Sequence, residues 1–69
     1  MKKGFSYWMV NEYDDDGSQP YVHGIVEEVL DGFVKIFDTT NKEIFMADIV
    51  ELEDIQDEAY EWFVQNVKA

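Results

Sequence analysis

The stretch NEYDDDGSQPYVHG, from Asn11 to Gly24, gathers the side chains best suited to chemistry. Glu12, Asp14, Asp15 and Asp16 crowd against Gly17 and Pro20, with the chain's single histidine, His23, just beyond. Three readings compete: a metal loop, an acidic docking surface and a solvated turn. A calcium loop of the EF-hand kind needs glycine at its sixth position and a bidentate glutamate at its twelfth. Counted from Asp14, those positions hold Gln19 and Ile25, so no specific metal site is expected. His23 has no second histidine and no cysteine with which to share a metal. As a general base it would need a nucleophile in context, and the only serines are Ser6 and Ser18. Glu27 and Glu28 are neighbours on a predicted strand, so they point to opposite faces and cannot serve one glycosidic site. There is no glycine-rich phosphate loop. These exclusions lead to an expectation of no catalytic residue, no metal and no cofactor.

A second acidic block lies near the C-terminus. Asp54, Asp57, Glu58 and Glu61 recur at i, i+3, i+4 and i+7, which places them on one helix face. Like charges so spaced weaken an isolated helix by a few tenths of a kcal/mol per pair. The stripe carries one charge per ~3.5 Å of helix, against one per ~3.4 Å on a single DNA strand. Asp48, Glu51 and Glu53 extend it upstream. Tyr60, Trp62, Val64 and Val67 lie beside it. Tyr60 and Val64, added to Ile55, Ala59, Trp62, Phe63 and Val67, widen the apolar arc of the helix to roughly 200°, where packing on a small β fold needs little more than about 100°. Part of that arc is expected to stay uncovered beside the acids, which is the anatomy of a protein-binding surface. A homodimer would use the same edge.

The overall charge agrees with that expectation. Sixteen acids face five lysines, with a formal net charge of −11. Such a body repels nucleic acid and anionic lipid and attracts basic protein surfaces. Direct binding to nucleic acid or membrane is therefore not expected; a basic protein partner is. The absence of cysteine rules out disulfides and thiolate sites and fits a reducing cytoplasm. No apolar run approaches the ~18 residues of a membrane span. Lys2 and Lys3 are not followed by the apolar segment of a signal peptide. Beginning at Met1, the chain reads as a complete small cytoplasmic gene product.

The elements that must position these groups follow from periodicity. Sixty-nine residues are expected to form one domain, 1–69, and five Phe, four Tyr and two Trp supply core area that a short chain otherwise lacks. Runs rich in β-branched and aromatic residues predict strands over 5–13, 21–30, 33–38, 43–47 and 49–52. Asp31-Gly32 is the preferred pair of a two-residue hairpin turn. It sets Leu30 opposite Phe33, Val29 opposite Val34, Glu28 opposite Lys35 and Val26 opposite Phe37. Gly24 predicts a bend or bulge. The period then changes, and a helix is predicted over 54–67, capped by Asp54. Ile55, Ala59, Trp62, Phe63 and Val67 fall on its inner side.

GIVEEVLDGFVKIFDTTNKEIFMADIVELE shows a strand with a central glycine, a D-G hairpin, a short strand and a closing DIVELE strand. In these features residues 20–53 resemble the SH3-like and Sm-like small β-barrels. The resemblance implies a mainly β fold: a five-stranded antiparallel SH3-like barrel over 4–53 with a C-terminal helix over 54–67. It assigns no site residues. In size, acidity and lack of cysteine, the chain is also similar to small phage-encoded inhibitors that imitate DNA. The expected function is a non-enzymatic binding protein that docks its acids on a basic groove of a nucleic-acid-handling protein. The alternative is a scaffolding or dimerisation module whose acidity serves only solubility.

Overall fold

The computed structural model describes residues 1–68. Its elements are β1 (Ser6–Val10), β2 (Tyr21–Val29), β3 (Phe33–Asp38), β4 (Glu43–Asp48) and α1 (Ile49–Phe63), followed by a wider π-type turn over Val64–Lys68. The four strands form one antiparallel sheet in the order β1-β2-β3-β4.

The Asp31-Gly32 turn joins β2 to β3, with Gly32 at φ 80°, the positive value that its place in the hairpin requires. Leu30 N–H donates to Phe33 C=O at 2.7 Å. Val29 faces Val34 and Glu28 faces Lys35, as the turn predicts. A bulge between Val26 and Glu28 then shifts the register, so Val26 faces Ile36 and not Phe37. The distortion expected at Gly24 thus falls further along the strand. Gly24 serves a different need: a Cβ there would lie 2.7 Å from Ile36 Cγ1 and 2.8 Å from Met9 Sδ. Side chains of two neighbouring strands pack over its bare backbone.

One face of the sheet buries Met9, Val22, Val26, Val34 and Ile36, and α1 closes it with Leu52 and Ala59. Ile49 and Ile55 pack against this core. Each fully buried aliphatic side chain contributes about 1.5–3 kcal/mol relative to exposure. The buried Asp38 organises the β3–β4 turn. Its Oδ1 accepts from Thr40 and Asn41 N–H, and its Oδ2 from Asn41 Nδ2 at 2.8 Å.

The expected barrel is not closed. Residues 49–52, read as a fifth strand, are the first turn of α1. Over a run as short as DIVELE, alternation and helical spacing compete. The longer pattern decides: Ile49, Leu52, Ile55 and Ala59 recur at helical spacing and all turn toward the core. The cap is Asp48 and not Asp54. Asp48 Oδ1 accepts from Val50 N–H at 2.9 Å and Glu51 N–H at 3.3 Å. Asp48 with Glu51 three residues on is also the spacing of a capping box.

Without a fifth strand, β1 and β4 are the two edges of the sheet. They nevertheless approach at one end, where the Tyr13 and Phe45 rings lie 6.2 Å apart. There Asn41 Nδ2 donates to Asn11 Oδ1 at 2.9 Å. Asn11 also ends β1 early, because its side chain accepts from Tyr13 N–H and donates to Gln19 C=O. The strand predicted over 5–13 is therefore shorter. Among the described residues, no helix is long and apolar enough to cross a membrane.

Replacing Asp48 by Ala removes the cap and should lower stability by about 1 kcal/mol in urea denaturation. Asp54→Ala, inside the helix on its exposed side, should shift it by less than ~0.5 kcal/mol. The opposite ranking would restore the sequence-based helix start.

Candidate protein-interaction surface

Which side of α1 faces outward is set at the edge of β1. The bonds Asn11 N–H to Pro20 C=O and Val26 N–H to Phe5 C=O fix the β1–β2 ladder. Alternation then turns the backbone of Trp8 away from β2. Gln56 meets it. Its Oε1 accepts from Trp8 N–H at 2.9 Å, and its Nε2 donates to Trp8 C=O and Leu52 C=O, each at 2.7 Å. One side-chain amide stands in for a neighbouring strand. A glutamine in mid-helix gives no sequence signal of such a role.

With that side held inward, Asp54, Asp57, Glu58 and Glu61 are all exposed, as are Glu51 and Glu53. Among the described residues the one ion pair is Lys35 Nζ to Glu28 Oε2, at 3.7 Å. Among the described residues, no lysine forms an ion pair with the acids of α1. Glu58 lies close to Tyr21, whose phenol is raised above its ordinary range by burial and by that carboxylate.

The β1–β2 loop uses two of its acids on itself. Asp16 Oδ1 accepts from Ser18 N–H at 2.9 Å, and Asp14 Oδ1 from Gln19 N–H at 3.3 Å. The side-chain and backbone bonds from Ser18 hold the Asp16 carboxyl below its ordinary 3.8. Asp14 is half-buried, while Glu12, Asp15 and Asp16 are exposed. Among the described residues no three His, Cys, Asp or Glu side chains form a metal-holding group. The two acidic blocks also meet. Glu12 joins Asp48, Glu51 and Asp54 around a groove of about 480 Å³. Met9, Phe45, Leu52 and Ile55 supply its apolar lining.

The apolar residues singled out beside the stripe divide. Trp62 is half-buried, edge-on to Trp8 at 6.3 Å and 6.0 Å from Tyr21. Val64 is also half-buried. Tyr60 is 53% exposed and Val67 59%, so the inner-side position predicted for Val67 is not realised. The wider spacing after Phe63 rotates Val67 off the helix's inner line. Trp8 stacks on His23 with ring centroids 3.7 Å apart, since the two are directly opposed across β1 and β2. Ser6 Oγ and His23 Nδ1 are hydrogen-bonded at 3.0 Å. The fold thus brings a hydroxyl to the histidine. Among the described residues no carboxylate hydrogen-bonds the ring, so the pair lacks the third group that orients a catalytic base.

A scan of protein-family models, a search of curated proteins and a search of solved structures gave no match to this chain.

Gln56→Ala strands both Trp8 backbone groups and should cost about 1–3 kcal/mol, read by urea denaturation. Amide exchange at Trp8 should accelerate in the same variant. An unchanged denaturation midpoint would show that the bridge holds nothing.

Partial desolvation lowers the imidazole of the surface-exposed His23 below its ordinary 6.5, so the fold favours the neutral ring. The stability this contributes is fully present above the unfolded value of 6.5 and is lost as pH falls from there toward the lower folded pKa. NMR titration should place the His23 midpoint below 6.5, and His23→Gln should flatten the stability profile in that window. A midpoint at or above the ordinary value would contradict the assignment.

Proposed function

We propose that this chain is a small non-enzymatic protein-binding module. Its acidic surface docks on a basic groove of a nucleic-acid-handling protein, competing for lysine and arginine contacts that nucleic acid would otherwise make. The observation that supports this reading most is the outer face of α1. Asp54, Asp57, Glu58 and Glu61 are exposed there, and among the described residues none forms an ion pair. Their carrier is fixed to the sheet by Gln56 and by the buried Leu52 and Ala59. A rigid, unneutralised array steers a basic partner from a distance and sets its register on contact. Glu12, Asp15 and Asp16 add a second anionic patch. Tyr60 and Val67 supply uncovered apolar area beside the acids, which a partner can desolvate. Trp62 contributes by holding this edge in place through Trp8 and Tyr21.

A second reading, a dimerising module whose acidity gives solubility alone, draws on a different observation. Phe33, Ile44 and Met46 are exposed on the outer face of the sheet. Salt separates the two readings, because exposed charge contacts are screened over about 8–10 Å at moderate ionic strength while an apolar dimer persists.

The test immobilises the chain and passes over it the heparin-binding proteins of the organism that encodes it. On the favoured reading a discrete protein is retained at low salt, released at moderate salt and displaced by duplex DNA. The variant carrying Asp54→Asn, Asp57→Asn, Glu58→Gln and Glu61→Gln, still folded by circular dichroism, should lose at least ten-fold in affinity. Undiminished retention by that variant, or no DNA-displaced protein, would overturn the proposal.

A further inference from the structure

The two edges of the sheet are not equivalent. Ile49 N–H donates to Gly32 C=O at 3.1 Å, which fixes the ladder between β3 and β4. By alternation, Glu43, Phe45 and Ala47 turn their backbone toward β3, and Ile44 and Met46 turn theirs to the open edge. At β1 the corresponding outward groups of Trp8 are taken by Gln56. At β4 no described side chain bonds the backbone of Ile44 or Met46. Both side chains are also exposed, at 56% and 57%. Sheet edges are ordinarily guarded by proline, lysine, a bulge or a covering element. β4 carries no proline, lysine or bulge within its length, its charges, Glu43 and Asp48, stand only at its ends, and the β1–β2 loop reaches it at Phe45 through Tyr13.

We infer that the open edge of β4 takes up an extended, lysine- or arginine-bearing segment of a partner protein as a fifth strand, seated in the groove between β4 and α1. This inference rests on the reading of the acidic surface as a docking surface for basic proteins, and it supplies the mode of contact. A strand added at the usual ~4.8 Å spacing enters a groove of about 480 Å³. The groove offers that strand apolar Met9, Phe45, Leu52 and Ile55 for its aliphatic side chains and the carboxylates of Glu12, Asp48, Glu51 and Asp54 for its cations. Backbone pairing gives affinity, and the alternate side chains give selectivity. Charge complementarity picks the occupant. A second copy would bring another net charge of −11 against the same rim, which opposes β4-to-β4 pairing.

The probe is a capped heptapeptide of alternating lysine and valine, compared with the same sequence N-methylated at every backbone nitrogen. The methylated form keeps charge and side chains but cannot donate to a strand. Calorimetry at low salt should show the plain peptide binding at least ten-fold more tightly than the methylated one. NMR hydrogen exchange should show the Ile44 and Met46 amides slowed on binding. Met46→Lys, which adds a like charge to an exposed position of the edge, should weaken the plain peptide several-fold with an unchanged circular dichroism spectrum. Equal affinity for the two peptides, or no slowing at Ile44 and Met46, would overturn strand addition and leave charge-led docking standing. Failure of the plain peptide to bind at all would overturn it too. So would a concentration-dependent dimer that protects the same amides without peptide, since a second copy would then be the occupant. Loss of the DNA-displaced partner would overturn the docking surface on which this inference rests, whereas equal affinity for the two peptides overturns the edge alone.

Discussion

The fastening of α1 to the free edge of β1 is the constraint on which the rest of this molecule depends. Gln56 satisfies both outward backbone groups of Trp8, and Leu52 and Ala59 bury beside it. This contact closes the core with a helix where a barrel would use a strand. It also fixes the rotation of α1, so that Asp54, Asp57, Glu58 and Glu61 can only face solvent. Because α1 follows β4 without a loop and crosses to β1, it covers one sheet edge and leaves the other open.

Charge works against this arrangement and is tolerated because packing outweighs it. A net charge of −11 on an 8.1 kDa chain favours expansion through self-repulsion. The ion pair Lys35–Glu28 has both side chains about half exposed, so it contributes at most about 1 kcal/mol. Repulsion within the acidic stripe is a few tenths of a kcal/mol per pair. Against it stand the apolar core and the ring cluster of Trp8, Tyr21, Trp62 and Phe63, where favourable aromatic pairs add about 0.5–1.5 kcal/mol each. The acids are therefore carried by the fold and do not build it, apart from Asp38, Asp48 and the loop pair Asp14 and Asp16. Those four accept hydrogen bonds from backbone N–H groups.

Local signals were legible wherever one short-range interaction dominates. The Asp31-Gly32 turn set three pairings correctly, since its backbone dictates the register next to it. The fourth failed because a bulge, which has no residue signature here, intervened before Val26. The exposed acidic face of α1 was readable from spacing alone, for the same periodicity that gathers Leu52, Ile55 and Ala59 inward gathers the acids outward. DIVELE is ambiguous because both alternation and helical spacing fit so few residues. The cap at Asp48, with Glu51 three residues on, was the signal that could have corrected it.

What the sequence alone determined about this protein is its charge, its lack of thiol chemistry, its β-rich composition and the amphipathic face of its helix. These follow from residue type and from periodicity within one element. Only the tertiary structure decided that the sheet stays open, that Glu12 joins Asp48, Glu51 and Asp54 around one groove, that Ser6 meets His23, and that β4 keeps a bare edge. Each depends on groups far apart in the chain meeting in space, and single-chain periodicity carries no information about such meetings.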